Sequence, residues 1–569
     1  MRNMCKWFIL TILLFYVNGF LSKEWTSEDT ANLEERIATV MECRRVPGMF
    51  LSVVKDDTVV LSKGYGYKDI EKNEPFTAQT PMSIQSTSKF MFTILTARML
   101  TKYPQYSFDT TIKDLLGDEF ELSDKTSEKE VTIRDILSMR HGIGDGEVFY
   151  DLVENFFAWT KDDYIRQIKH YPVTDEVRRA YHYSSAGFAF LEKAFELLEN
   201  KTTKQILHDE LFEPLGMVNS NTIDEARFDD NYALGYQPGP NGTLIKVTGN
   251  FVSRSSGMIG GYGMASTADD LAKYLRFVLR GGVLEDGETV HVNRDLIEDA
   301  LSPQMFYPNP YGGYTVADGY SMRPAAPFTS HTYAYGLASW HRYYRGFQLV
   351  QHTGSYFSDT LMTYHPDLKI GIYTGLNGPY ERVSWAVETI VHEYILDTFL
   401  DLPNYLNQTT VCTFPAPWGD PVDIPTFTAI PEDEASTFPL EKYTGVFGRA
   451  AYGCMHMTLN RTDDETKVLQ FSMSEARMFA YPKEGQTHEF WLKGVDDMYH
   501  LWYTGPYSIK FSESNGLINE LIYQELEFER MPDDSERLCS FYLTGLQDAD
   551  KGYSDNTIMV PFDNCTLGH

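Results

Sequence analysis

Positive charge is scarce in this chain. Its 569 residues include 49 lysines and arginines against 80 aspartates and glutamates, which gives a formal net charge of −31. Such a surface repels phosphate backbones and anionic headgroups, so nucleic acids and anionic membranes are excluded as partners. The acidic residues are scattered, and the calcium-loop pattern Asp-x-Asp-x-Asp-Gly does not occur. We therefore expect a solvated acidic surface, with no metal and no cofactor.

Hydrophobic runs long enough to span a bilayer are lacking as well. At the N-terminus, Arg2 and Lys6 precede an apolar run over residues 7–17. This run is about half of the ~20 residues that a membrane helix needs, and its basic start is typical of a secretory signal peptide. We predict a signal peptide over residues 1–22 and a secreted, extracellular protein without membrane attachment after cleavage.

Five Asn-x-Ser/Thr sequons fit passage through the secretory pathway, where asparagines in this pattern receive glycans. They are Asn200, Asn241, Asn407, Asn460 and Asn564. We therefore predict a glycoprotein.

Cysteines are few: the chain has six, and Cys5 belongs to the predicted signal peptide. Four of the others lie in the last third of the chain, which predicts two disulfides there in one of three pairings. These candidates are Cys412, Cys454, Cys539 and Cys565. Cys43 is left over, and we expect it to be a small buried apolar side chain.

Two common hydrolase motifs are missing. No Gly-x-Ser-x-Gly elbow occurs, which argues against an α/β-hydrolase. His392 and Glu393 begin a zinc-protease pattern, but Leu396 occupies the place of its second histidine. A zinc hydrolase is therefore not expected.

Periodicity predicts an α+β domain over residues 23–400. Residues 47–69 alternate apolar and polar side chains around Asp56 and Asp57, which predicts a β-hairpin ahead of the first helix. Helical patterns fill the middle of the domain, strand-like stretches return over residues 335–376, and an amphipathic helix closes it. Strands at both ends of a helical middle are typical of the α+β class.

A proline-rich stretch over residues 401–438 has no helical period and predicts a linker. Short alternating strands separated by turns then cover about residues 443–528, which predicts an all-β barrel or sandwich. The expected organisation is thus a signal peptide, an α+β domain, the linker, and a disulfide-containing β-domain over residues 439–569.

A candidate nucleophile stands at the start of a predicted helix. Ser86 and Lys89 form a Ser-x-x-Lys pattern, and residues i and i+3 share a helix face, so the amine can reach the hydroxyl. A serine beside a base is suited to acyl transfer. Ser52 and Lys55 repeat the spacing, but in a hairpin such residues point to opposite faces. Taken alone, the pattern would be better explained by a serine that caps the helix and a lysine on its surface.

Two further motifs follow in order: Tyr183-Ser184-Ser185 before an amphipathic helix, and His352-Thr353-Gly354-Ser355 after a predicted strand. Together with Ser-x-x-Lys they resemble the motifs of the serine β-lactamase and penicillin-binding-protein family, closest to its class C and esterase branch. There the second motif is Tyr-x-Asn and the third is Lys-Thr-Gly or His-x-Gly. The resemblance covers about residues 35–400. It implies a β-lactamase/transpeptidase-like domain, with an antiparallel sheet flanked by helices and a helical subdomain.

The C-terminal part is similar to the lipocalin-like β-domain that some of these proteins carry. The domain order and the acidity also resemble shell-matrix proteins of the gigasin type. This resemblance implies an all-β, lipocalin-like barrel after the linker.

The resemblance implies a mechanism in which Ser86 attacks a carbonyl carbon and water later hydrolyses the acyl-enzyme. Lys89 and Tyr183 would share the proton transfers, and which of them is the base stays open. The oxyanion would lie between the backbone N–H groups of Ser86 and Ser355.

The same resemblance assigns substrate binding to residues of the second and third motifs. They are Ser185, His352, Thr353, Gly354 and Ser355. Ser185 replaces the family's asparagine, which argues against β-lactams and peptidoglycan-like peptides. His352 replaces a lysine, which weakens capture of a substrate carboxylate and favours an ester or a neutral amide.

Two functions are consistent with these features. The first is a secreted serine hydrolase that acts on ester, amide or peptide bonds of a small molecule or peptide. The second is a non-enzymatic, acidic extracellular or shell-matrix protein that keeps the fold and associates with matrix or mineral. The intact Ser86, Lys89 and Tyr183 favour the hydrolase, whereas the acidity and Ser185 favour the matrix protein.

Overall fold

Two β-structures organise the chain, an open nine-stranded sheet and a closed eight-stranded barrel. The structure is a computed structural model. It describes residues 22–143, 161–238, 243–247, 258–306, 330–379, 381–417, 439–449, 452–462, 466–473, 476–495, 507–523 and 526–532. Five residues or ranges named in the sequence predictions lie outside these ranges, namely residues 1–21, Asn241, Cys539, Asn564 and Cys565.

The first part of the chain contains fourteen strands. They are β1 (Gly48–Lys55), β2 (Thr58–Asp69), β3 (Glu74–Pro75), β4 (Met82–Ser83), β5 (Asn221–Thr222), β6 (Tyr236–Pro238), β7 (Leu244–Lys246), β8 (Met264–Ser266), β9 (Met305–Phe306), β10 (Ser330–Tyr335), β11 (Trp340–Tyr344), β12 (Phe347–Ser355), β13 (Asp359–His365) and β14 (Ile370–Leu376). The order in the nine-stranded sheet is β3-β2-β1-β14-β13-β12-β11-β10-β9, and neighbours run antiparallel. Strands β4, β8 and β5 form a small second sheet, and β6 pairs with β7.

Helices of the described residues lie before, between and after these strands. They are α1 (Ser27–Arg44), α2 (Ser88–Lys102), α3 (Ile112–Leu116), α4 (Ser127–Glu130), α5 (Ile133–Leu137), α6 (Lys161–Gln167), α7 (Gly187–Glu199), α8 (Thr203–Leu207), α9 (Ile223–Ala226), α10 (Ile259–Tyr262), α11 (Ala268–Leu279), α12 (Arg294–Ala300), α13 (Glu381–Phe399) and α14 (Thr410–Thr413). Within the described residues, no helix combines the length and the apolar character needed to cross a membrane.

The sheet separates two apolar cores, which explains why its strand β1 is buried along almost its whole length. On β1, Phe50 and Val54 belong to the core that α2 and α11 cover, whereas Met49, Leu51 and Val53 belong to the core under α1 and α13. Successive residues of a strand face opposite sides, so both cores draw on the same strand. The predicted hairpin around residues 56 and 57 is confirmed as β1 and β2.

The second Ser-x-x-Lys pattern lies on β1, as expected. The Ser52 hydroxyl donates a hydrogen bond to the Ala268 carbonyl on the α11 side of the sheet (2.5 Å). Lys55 pairs with Asp56 at the end of the strand. A serine and a lysine three residues apart on a strand do not form a catalytic pair.

The expectation that sheet precedes the first helix is wrong, because α1 comes before β1. Thr26 and Asp29 form a capping box that starts this helix, and its buried side chains recur as Leu33, Ile37 and Val40. That spacing of four and three residues gives one apolar face, which packs on α13 in the second core.

The predicted disulfide arrangement is also wrong. Cys43, expected to be a buried free thiol, is exposed at the end of α1 and is bonded to Cys412. The reason is that the start of the predicted linker packs back on the α+β part of the chain, where Leu406, Val411 and Phe414 enter the second core. Cys454 is disulfide-bonded as well.

The C-terminal part contains a closed antiparallel barrel, which confirms the prediction of an all-β barrel. Its strands are β15 (Gly445–Arg449), β16 (Gly453–Arg461), β17 (Lys467–Met473), β18 (Ala476–Pro482), β19 (Glu489–Gly494), β20 (Ser508–Ser514), β21 (Leu517–Tyr523) and β22 (Leu526–Arg530). Aromatic rings fill its interior: Tyr443 lies 4.8 Å from Phe490, and Phe511 lies 5.7 Å from Phe447. The buried Tyr452 ring contacts Tyr171 of the first part at 5.1 Å.

Candidate active site

Ser86 occupies a tight turn between β4 and α2. The turn is the 3₁₀ helix Gln85–Thr87, and Ser86 is partly exposed while its two neighbours are buried. Gln85 has a φ of 49°, a left-handed conformation that non-glycine residues adopt rarely. Thr87 anchors the turn through its hydroxyl, which donates to the Ile84 carbonyl at 2.5 Å. The turn therefore presents one serine hydroxyl to solvent on a firmly held backbone.

Lys89 lies on the first turn of α2, and its side chain is fully buried. Its amine donates to the Ser86 hydroxyl oxygen at 3.1 Å and to the Gly261 carbonyl at 2.8 Å. The carbonyl comes from α10, which packs on α2. The structure thus places a buried amine in direct contact with the candidate nucleophile.

Tyr183 lies on the same side of the site. The Lys89 amine is 4.8 Å from the centroid of its ring, a distance typical of a cation–π contact. The ring is nearly parallel to that of Trp340, with centroids 6.1 Å apart and an interplanar angle of 7°. Ser86, Lys89 and Tyr183 are therefore brought together by the turn before α2, the first turn of α2 and the segment that precedes α7.

His352 is fully buried on β12, behind the aromatic side chains. Its Nδ1 lies 2.6 Å from the Thr353 carbonyl, which can only accept, so Nδ1 carries the proton and the Tyr335 hydroxyl donates to Nε2 at 3.1 Å. Burial, and next the charge of Lys89, lower the pKa of His352 to about 3. The ring is therefore neutral at physiological pH and offers no positive charge to a substrate.

The end of β12 passes directly beside the Ser86 turn. A Cβ atom on Gly354 would lie 2.5 Å from the Ile84 carbonyl oxygen and 2.9 Å from Gln85 Cβ, so only glycine fits. Thr353 and Ser355 on either side are partly exposed. The Ser355 hydroxyl donates to the Asp359 carboxylate across the β12–β13 ladder at 2.5 Å.

Ser185 lies under the site. It is fully buried, and its hydroxyl has no hydrogen-bond partner within the described part of the chain. Its Cβ is 3.1 Å from the position that a Cβ on Gly261 would take. The serine thus contacts the turn that holds Lys89 and does not reach the surface.

Five residues of this region escaped the sequence analysis: Glu192, Gly261, Tyr335, Trp340 and Asp359. The pair of glycines before Tyr262 was a signal of close backbone approach. The two aromatic residues gave none, because they meet His352 only through the pairing of β10, β11 and β12.

Two metal patterns can be examined within the described residues. His392, which began the zinc-protease pattern, is fully buried and bonds to Thr363 and Thr374, and burial lowers its pKa to about 3. The exposed residues His208, Asp209 and Glu213 lie close enough to share an ion. Exposed acidic groups of this kind are common without a metal.

Three of the predicted glycosylation sites lie within the described residues. All three are exposed: Asn200 ends α7, Asn407 precedes α14, and Asn460 is on β16.

A family model described as Beta-lactamase matches residues 33–392, which include every residue of the site. The chain belongs to the beta-lactamase family. Gigasin-6 of Magallana gigas is 27% identical over 284 residues, which cover 48% of this chain and 88% of that protein. Unguisins hydrolase of Aspergillus campestris is 24% identical over 460 residues, or 74% of this chain and 76% of that protein.

Among solved structures, the octameric penicillin-binding protein homologue from Pyrococcus abyssi superposes on this family member with a TM-score of 0.54 and 19% sequence identity. The match covers 88% of this chain and 99% of that one. At this identity the likeness concerns the fold, and it supports the β-lactamase/transpeptidase-like architecture that the motifs implied.

Proposed function

We propose that the protein is a serine hydrolase that cleaves ester, amide or peptide bonds through an acyl-enzyme on Ser86. One observation carries the proposal: the buried amine of Lys89 lies 3.1 Å from the hydroxyl oxygen of a partly exposed serine. A hydroxyl and a base in hydrogen-bond contact are the minimum that nucleophilic catalysis by serine requires. The relative named unguisins hydrolase supports hydrolysis as the reaction class.

In the proposed reaction, Lys89 takes the proton of the Ser86 hydroxyl as the oxygen attacks the carbonyl carbon. Lys89 takes this proton in its neutral form, because an ammonium group has no lone pair to accept one. The tetrahedral oxyanion is stabilised by the backbone N–H groups of Ser86 and Ser355. As the oxyanion collapses, the leaving group departs with the proton from Lys89, and Tyr183 lies beside the amine to assist this transfer.

Water completes the cycle in the proposal. It gives a proton to the same base and attacks the acyl carbon. The base then returns this proton to the Ser86 oxygen as the acyl bond breaks, which releases the acid and the free Ser86 hydroxyl. None of these proposed reaction steps requires a metal or a cofactor.

The proposed substrate is a neutral ester or amide rather than a substrate held by its carboxylate. A cation at the third motif would pair with a carboxylate, but His352 is neutral and turned into the protein by its bonds to Tyr335 and Thr353. Half-buried Tyr183 lies beside the Lys89 amine that contacts Ser86, and half-buried Trp340 packs against Tyr183, so the two rings add aromatic surface to the site. They suit an apolar or aromatic group next to the scissile bond.

Secretion and glycosylation complete the proposal. The N-terminal apolar run, the exposed sequons Asn200, Asn407 and Asn460, and the disulfide between Cys43 and Cys412 fit an extracellular protein. We also propose that the closed barrel is a lipocalin-like domain, supported by its eight antiparallel strands.

Labelling with a fluorescent fluorophosphonate tests the catalytic proposal. The mature protein should be labelled, and the Ser86→Ala variant should not. Ser52→Ala is the control from the other Ser-x-x-Lys sequence, and it should keep its label because Ser52 forms no catalytic pair and its hydroxyl bonds to the Ala268 carbonyl. Labelling that survives in folded Ser86→Ala would refute Ser86 as the nucleophile. Absence of labelling in the wild type across pH 6–9 would instead favour a non-enzymatic, acidic matrix protein, a function that the net charge of −31 supports.

A further inference from the structure

Glu192 is a carboxylate in the apolar core behind the site. It lies on α7, is 1% exposed, and is flanked by the buried side chains of Phe188, Leu191 and Phe195. Burying a carboxylate is unfavourable unless hydrogen bonds replace its water. Its strongest such bond is specific: Oε1 accepts the backbone N–H of Gly260 at 2.7 Å.

Gly260 belongs to α10, the short helix that also accepts a hydrogen bond from the Lys89 amine. The next residue along, Gly261, offers its carbonyl to the Lys89 amine at 2.8 Å. A Cβ on Gly260 would lie 2.8 Å from the Phe92 ring of α2, and one on Gly261 would lie 3.1 Å from Ser185 Cβ. Helix α10 therefore packs closely against α2 and the segment before α7, and the hydrogen bond from Gly260 to Glu192 also ties it to α7.

We propose that Glu192 is a positioning residue of the proposed hydrolase: by holding the Gly260 N–H, it fixes the Gly261 carbonyl that keeps the Lys89 amine beside Ser86. The inference rests on the proposed function, because it assigns Glu192 a part in delivering the base to the nucleophile. Glu192 is not in contact with Ser86 and acts only through α10.

The surroundings of Glu192 make this role sensitive to pH. Among the described residues, Lys161 on α6, Glu196 on α7 and Thr203 on α8 face the carboxylate. Burial raises the pKa of Glu192 to about 7, against the opposing effects of the Gly260 N–H and Lys161. Ionisation strengthens the bond to Gly260, since a charged acceptor binds an N–H more strongly than a neutral one. Glu192 therefore changes its hold on α10 near neutral pH.

The test measures the second-order rate constant of Ser86 labelling by a fluorophosphonate between pH 5 and 9. Four forms of the mature protein are compared: wild type, Glu192→Ala, Glu192→Gln and Glu199→Gln. The last is a matched control, because Glu199 lies on the same helix but pairs with Lys102, away from α10. Thermal unfolding of each variant shows which of them are folded.

We expect Glu192→Ala to lose about 10- to 100-fold in the rate constant, the scale of a small misplacement of a catalytic group. Glu192→Gln keeps an oxygen acceptor, so its rate constant should stay within about threefold of wild type. Its pH profile should lack the inflection near 7 that the wild type shows. Glu199→Gln should behave as the wild type at every pH.

Either of two results overturns the inference: folded Glu192→Ala labels at the wild-type rate, or Glu192→Gln retains the inflection. The second remains decisive if Glu192→Ala does not fold. A wild type that is not labelled at all would overturn the proposed function, and this inference with it.

Discussion

Replacing Lys89 by methionine separates catalysis from stability. The change removes two hydrogen bonds of a charged donor, worth about 1.5–3 kcal/mol each, and a cation–π contact worth about 0.5–2 kcal/mol. In return it relieves the desolvation of a fully buried ammonium, which costs several kcal/mol, and buries an apolar chain of similar length. Because these effects oppose each other, we expect the free energy of unfolding to change by less than about 2 kcal/mol.

Catalysis has no such compensation in Lys89→Met. The Ser86 hydroxyl loses the group that contacts it at 3.1 Å, and general-base assistance is worth about 10²- to 10⁴-fold in rate. We therefore expect labelling by a fluorophosphonate to slow by that factor in a protein that unfolds near the wild-type denaturant midpoint.

Lys55→Met is the matched control for this experiment. It alters the lysine of the other Ser-x-x-Lys sequence, at the end of β1, and should leave labelling unchanged. The reasoning is refuted if Lys89→Met is folded and labels within about threefold of wild type, since general-base assistance is worth far more than that. Tyr183 would then be the better candidate for the base.

Three other outcomes follow from the structure. Gly354→Ala should lower the free energy of unfolding by about 1–3 kcal/mol and slow labelling of the folded protein, because the new methyl group meets the turn that carries Ser86. Gly48→Ala, with an equally close clash elsewhere in the sheet, should lose stability but not labelling rate. His352 has its pKa lowered from 6.5 to about 3, so the stability it contributes is complete above pH 6.5 and is lost as the pH falls toward 3. In chemical denaturation, His352→Gln should remove up to about 1.4 kcal/mol of this loss per pH unit, and equal slopes for both proteins would contradict a neutral ring. Cys43→Ser should lower the free energy of unfolding by about 2–5 kcal/mol, because it removes the bond to Cys412. A reductant should then cause no further loss of stability through this bond.

The parts of the site that could be predicted from the sequence are the local ones. Ser86 and Lys89 are three residues apart, so the geometry of one helical turn brings them together wherever the helix lies. Tyr183 and His352 were found only because short motifs resembled a family, since nothing in their own surroundings indicates a pocket. The barrel was predictable for a different reason, because alternating strands separated by turns leave few other architectures.

What escaped the prediction depends on packing between distant segments. The Gly261 carbonyl becomes a partner of Lys89 only when α10 is wedged between α2 and α7. The pairing of Cys43 with Cys412 spans 369 residues. The positions of the cysteines along the chain instead grouped Cys412 with those nearest to it in sequence. Helix α1 was not predicted, although Thr26 and Asp29 form a capping box and the apolar residues Leu33, Ile37 and Val40 recur at helical spacing.

The bond between Cys43 and Cys412 joins a residue near the start of the family match, residues 33–392, to the segment that follows its end. A protease that cuts one exposed loop between these positions would therefore leave two pieces that remain covalently linked in one molecule. On a gel the cut would show only after reduction, and the cut protein would keep both parts of the candidate site in one molecule. The link thus allows the protein to tolerate a single cut in its backbone.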